Sequence, residues 1–141
     1  MKHATATLLV ALALGACVQM PPSPADIEAK RFEPVPGKAA VYIVRRVMDS
    51  DEAGPLMLDD RITITTLRGT YYRWDVDPGP HKIEGISASP IRHIFNAEPG
   101  RIYYFMHTVY GTMLMGATMT ALQPVSEAQG QALVRQAQLF P

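Results

Sequence analysis

Cysteine is all but missing from this chain. The single one, Cys17, cannot close an intrachain disulfide, so the fold must hold without one. Charge imbalance is missing too. Thirteen Lys and Arg offset thirteen Asp and Glu, and a chain of zero net charge has no global field to draw it onto nucleic acid. Motifs of known chemistry are also lacking: there is no Gly-x-Ser-x-Gly elbow, no His-Glu-x-x-His pair and no phosphate-cradling loop. The chain therefore reads as non-enzymatic and without a cofactor. A long, clean apolar run is the last absence. Residues 103–122 carry no Asp, Glu, Lys or Arg, but Gly111, Gly116, four threonines and three tyrosines interrupt them. The Tyr110-Gly111-Thr112 turn makes two core strands the better reading than a membrane span, which needs roughly 20 apolar residues.

What is present begins at the N-terminus. Lys2 is the only formal charge before Cys17, and the apolar region ATATLLVALALGA follows it. A basic start, a short apolar stretch and small residues before a cleavage point read as a secretory signal. Leu14-Gly15-Ala16-Cys17 is similar to the lipobox of bacterial lipoproteins. That resemblance implies cleavage before Cys17, lipidation of its thiol and acylation of the new amine. Two or more acyl chains anchor stably where one does not. Val18 after the cysteine, by the same resemblance, favours the outer membrane, facing the periplasm.

Composition then divides the remainder. Residues 1–16 read as the signal peptide, 17–37 as the lipidated cysteine with a Pro-rich tether, and 38–141 as the folded domain. The tether holds five of the twelve prolines; fully extended, it could reach roughly 60 Å. Its segment ADIEAKRF could instead form one or two helical turns and pack. From Lys38 onward the signals are strands. AAVYIVRRV (39–47), LMLD (56–59), RITITTL (61–67), TYYRWDV (70–76), HKIEGISA (81–88), IRHIFNA (91–97), RIYYFMHTVY (101–110) and TMLMGATMTAL (112–122) are β-branched and aromatic, or alternate. Asp59-Asp60 marks a hairpin turn, and three Pro-Gly pairs each precede a strand. PVSEAQGQALVRQAQ (124–138) reads as a helix capped by Ser126 and Gln129. The expected fold is all-β: an antiparallel sandwich, immunoglobulin- or transthyretin-like, of seven to eight short strands with a short C-terminal helix. Closure into an eight-stranded barrel stays open.

Several of these segments together resemble a known family. PGKAAVYIVRR, GTYYRWDVDPGPHKI, EPGRIYYFM and LQPVSEAQGQALV occur in this order over roughly residues 36–135. They resemble the bacterial lipoprotein family catalogued as domain of unknown function 2846. The resemblance implies an envelope lipoprotein with a sandwich-like domain and a Pro-Gly-x-His hairpin. It transfers no catalytic residue. Relatives tend to carry Asp-Gly where this chain has Asp59-Asp60.

Three constellations merit weighing as sites. DSDEAGPLMLDD (49–60) has some spacing of a calcium loop, but Ala53 and Asp60 stand where ligands are needed, so an acidic surface loop is the better account. Met113, Met115 and His107 could offer thioethers and imidazole to Cu(I), although strand methionines usually fill core. Tyr71, Arg73, Tyr103 and Tyr110, with Arg45, Arg46 and Arg68, could present Tyr and Arg on an exposed face, the residue types that dominate interface hot spots. The expected partners are the membrane, through the lipid, and another envelope protein or a glycan; the alternative is a small-ligand or copper-binding lipoprotein.

Overall fold

The structure is a computed structural model that describes residues 21–87, 91–111, 114 and 118–140. The described residues are mostly β, with nine strands in two sheets and two short helices. Strand β1 (Ala39–Val44) leads into the hairpin β2 (Gly54–Leu58) and β3 (Ile62–Thr66). Strand β4 (Thr70–Val76) follows, then the hairpin β5 (Gly79–Gly85) and β6 (Arg92–Ala97). Next come β7 (Ile102–Tyr110), β8 (Met119–Pro124), a helix and the short β9 (Gln138–Leu139). The larger sheet runs β8-β7-β1-β4-β9 and the smaller β3-β2-β5-β6. Among the described residues both sheets keep free edges, and no barrel closes.

Alternation sends half of each strand between the sheets. Val41 and Ile43 of β1, Leu56 and Leu58 of β2, Trp74 and Val76 of β4, Ile83 of β5 and Phe105 of β7 form one core there. The other face of the larger sheet is also covered. Helix α1 (Pro24–Ala29) and helix α2 (Glu127–Gln136) lie on it, and Ala29, Tyr42, Tyr71, Tyr104 and Val134 form a second core. This explains why AAVYIV is apolar throughout: β1 is buried on both faces, as central strands beneath helices are.

Local chemistry fixes the helices. Ser23 caps α1 by accepting from the Asp26 N–H, and Pro24 sits where its missing N–H is harmless. Tyr42 Oη donates to the Ala29 carbonyl at 2.6 Å. The packing of α1 sets part of the Pro-rich stretch against the larger sheet, as one of the two expectations for ADIEAKRF has it. Ser126 caps α2 as expected. Gly130 of α2 is buried against Tyr104; a Cβ there would fall 2.5 Å from Tyr104 Cβ and nearer still to its ring.

Other expectations need correction. The ninth strand, β9, is a two-residue edge strand that no sequence pattern announces. The sheets are not purely antiparallel: β1 pairs β7 in parallel, and β4 pairs β9 in parallel. The Pro-Gly-x-His stretch is no hairpin, because β4 and β5 belong to different sheets and Asp77-Pro78 carries the chain across. The β2–β3 hairpin is present. Asp59 and Asp60 both take positive φ, and the Arg61 N–H closes the turn on Leu58 O at 3.1 Å. This is the type I′ geometry that Asp-Gly or Asn-Gly adopts with less strain. Of the expected strand 112–122, the described part pairs from Met119 onward, and β8 extends to Pro124.

Candidate functional site

A buried polar cluster lies under α1. Asp26 is buried at 2% exposure. Its Oδ1 accepts from Tyr71 Oη at 2.9 Å and from the Leu139 N–H at 2.8 Å, and Lys30 Nζ lies 2.9 Å from its Oδ2. Burial pushes the Asp26 carboxyl up, but Lys30, the Leu139 N–H and the Tyr71 hydroxyl together outweigh it and hold the group below the usual carboxylate range. Lys30 also donates to the Ala137 carbonyl at 2.7 Å. The cluster fastens the first helix to the last strand; every group in it is engaged in that fastening.

The Tyr and Arg residues expected on one exposed face are dispersed. Tyr71 is 1% exposed and belongs to the second core. Burial and the Asp26 carboxylate push its hydroxyl far above the ordinary tyrosine range. Arg73 is half-covered: it pairs with Asp75 at 3.0 Å, donates to the Glu33 carbonyl at 2.8 Å and stacks over the Tyr42 ring. Tyr103 points to the inter-sheet side, packs on Phe95 and donates to Asn96 O at 3.0 Å. Tyr110, seven residues on and so of opposite facing, is half-exposed. Arg45, fully buried, grips the 46–53 loop through Asp49 Oδ2, Glu52 O and Ser50 O, and reaches Thr66 O. The helix layer is what sequence alternation could not reveal: it converts an apparently wet sheet face into core.

A groove does run beside these residues. It has a volume of about 640 Å³ and lies between Pro34, Val35 and Ala25 on one side and Tyr72, Arg73 and Asp75 on the other, with Phe140 at its end. Strand β9 pairs only Thr70 and Tyr71 of β4. The rest of that β4 edge carries no strand partner among the described residues, and the groove follows it.

The histidines take structural partners. His81 Nδ1 lies 2.7 Å from Asp59 Oδ2 and its Nε2 2.7 Å from Asp77 O. His93 packs its ring on Phe105. His107 is fully buried, with Nδ1 2.8 Å from Thr66 Oγ1 and, among the described residues, no hydrogen-bond partner at Nε2. Burial, aided by the Arg45 charge, lowers its pKa to about 4. Among the described residues no group of three His, Cys, Asp or Glu could hold a metal ion. Met113, Met115 and Cys17 lie outside the described residues. Asp49 of the calcium-like loop is taken by Arg45. Among the described residues no helix is long and apolar enough to cross a membrane.

Asp26 gives little signal in the sequence beyond closing a Ser-Pro-Ala-Asp helix start, and Arg45, expected on an exposed face, is instead fully buried. The chain matches no family model and no curated protein.

Proposed function

We propose that this chain is a bacterial envelope lipoprotein of the family it resembles. Its sandwich-like domain serves as a non-enzymatic binding or structural module, anchored through lipid on Cys17 and facing the periplasm, at the outer membrane by its Val18. Leu14-Gly15-Ala16-Cys17 after a short apolar run supports the anchor. The histidines and buried carboxylate, engaged in holding strands and helices together, support a role without turnover. One observation carries the binding role: the groove along the part of the β4 edge that β9 leaves without a strand partner among the described residues. An open edge beside an apolar wall suits an extended segment of another envelope protein, which can add as a strand and place alternate side chains in the groove.

A second reading keeps the anchor and puts a small ligand or glycan in the groove, whose volume lies within the roughly 300–1,000 Å³ of ligand pockets. Two measurements test the proposal. Labelled fatty acid fed to cells should enter the wild-type chain and not Cys17→Ser. A photo-crosslinker at Val35, on the groove wall, should give one dominant protein adduct that Cys17→Ser loses, with a crosslinker at Thr63 on the far sheet as control. Small-molecule adducts alone would favour the second reading. An unlabelled wild-type chain would remove the anchor.

A further inference from the structure

The two ends of the sheets differ in chemistry. At one end β1, β3, β5 and β7 finish and β2, β4, β6 and β8 begin, as the registers Val44↔Tyr71, Val44↔Met106, Gly54↔Thr66 and Tyr110↔Met119 require. Six of the ten exposed large apolar side chains among the described residues belong to this end: Val47, Met48, Ile86, Tyr110, Leu114 and Met119, with Met48 at 91%. Exposed Arg46 and Arg68 flank them, Arg68 paired with Asp51. The opposite end carries more charge, through the Lys38–Asp77, Lys82–Asp60 and Arg101–Glu98 pairs, with Ile62 exposed beside them. Apolar side chains gathered at one tip of a small domain mark a contact surface.

The path of the chain says what covers that tip. Pro21 and Pro22 lie beside Gln138 and Leu139, and Gln138 pairs with Thr70, the β4 residue at the apolar end. The chain thus enters the domain near this tip. Cys17 precedes Pro21 by four residues, which span at most about 14 Å. With α1 packed on the sheet, the reach of the tether shrinks from the full stretch to those four residues.

We propose that the apolar tip seats on the lipid bilayer, as a second membrane contact beside the lipid on Cys17. Val47, Met48, Ile86 and Leu114 enter the acyl boundary, Tyr110 sits at the headgroup level where amphipathic rings favour the interface, and Arg46 faces headgroup phosphates. The charged end then points away from the membrane. This rests on the lipoprotein reading, since the lipid supplies the nearness.

The test uses the full acylated chain in vesicles of phosphatidylethanolamine and phosphatidylglycerol. Met48→Cys and Glu98→Cys each receive a spin label, which the blocked Cys17 cannot take. Mass spectrometry of each sample reads acylation. Expected is a label at 48 several-fold more accessible to oxygen than to a water-soluble nickel complex, and the reverse at 98. Acylated chain on vesicles with both labels nickel-accessible would overturn the seating and leave the anchor standing. A label at 48 shielded from both reagents would put a second copy of the chain on the tip instead. A mature chain without acyl groups would overturn the anchor and, with it, this proposal.

Discussion

Replacing Gly130 with Ala sets two ordinary rules against each other. Gly130 sits inside α2, where Ala is favoured over Gly by about 1 kcal/mol on helix propensity. Packing opposes the change. The new Cβ would overlap Tyr104, which is 3% exposed, stacked on Tyr42 at 5.4 Å and close to Phe32 at 6.2 Å. Tyr42 and Phe32 restrict where the ring can shift. Overpacking of a tight core costs about 1–3 kcal/mol, and an overlap with both Cβ and ring belongs at the upper end. Set against the propensity gain, Gly130→Ala should lower stability by about 2 kcal/mol. With a urea slope of roughly 1–3 kcal/mol per molar, the unfolding midpoint should fall by about 1 M. In a Tyr104→Ala background the sign should reverse, because the obstacle is gone and only propensity remains. A Gly130→Ala midpoint equal to or above wild type would refute the seating of α2 on Tyr104, and so would equal effects in both backgrounds.

Other consequences follow from the buried polar groups. His107 is neutral in the fold, with its pKa lowered from 6.5 to about 4, so its contribution is fully present above pH 6.5 and lost as pH falls toward 4. At most about 3 kcal/mol is at stake; urea midpoints between pH 7.5 and pH 4.5 should fall in wild type and fall less in His107→Leu. Tyr71→Phe removes the hydroxyl donor to the Asp26 carboxylate and should cost about 1.5–3 kcal/mol in urea unfolding. The Asp26 carboxyl is held low in the fold, so its share is present at neutral pH and fades as pH drops through that lowered value; Asp26→Asn should flatten the acid limb of the stability curve. Arg45→Met leaves Asp49 and three carbonyls without their donor, at about 3–5 kcal/mol. Limited proteolysis should then cut first in residues 46–53.

Much of this fold is legible in the sequence because strands are local patterns. Alternation in TYYRWDV places Trp74 and Val76 between the sheets, and Ser126 marks the start of α2. What stays illegible is non-local. The parallel pairing of Val44 with Met106 joins segments 62 residues apart, and nothing in either segment specifies parallel over antiparallel. Tyr71 and Arg73 misled for a related reason. Alternation says which residues share a face but not what lies on that face, and here α1 lies on it. The groove was hidden in the same way, since one of its walls comes from a stretch that reads as mere tether. The Asp59-Asp60 hairpin shows the converse: a turn formed by residues that are only second choices for it, because the flanking strands and the Asp59 bonds to His81 and Lys82 hold the positive φ values in place.

The fastening of Asp26 to the Leu139 N–H joins positions 113 residues apart. Its kinetic consequence concerns the order in which the molecule matures. A chain emerging N-terminus first presents α1 early, yet the carboxylate of Asp26 cannot find its backbone donor until Leu139 has appeared, 113 residues later. Contacts of such separation form late, because the closure entropy of the intervening chain must be met first. Strand β4 meanwhile offers its whole outer edge, which β9 blunts only at the last step. Until then the growing domain carries a longer open edge than the finished one, and a holding partner that recognises extended edges would find its best opportunity in that interval.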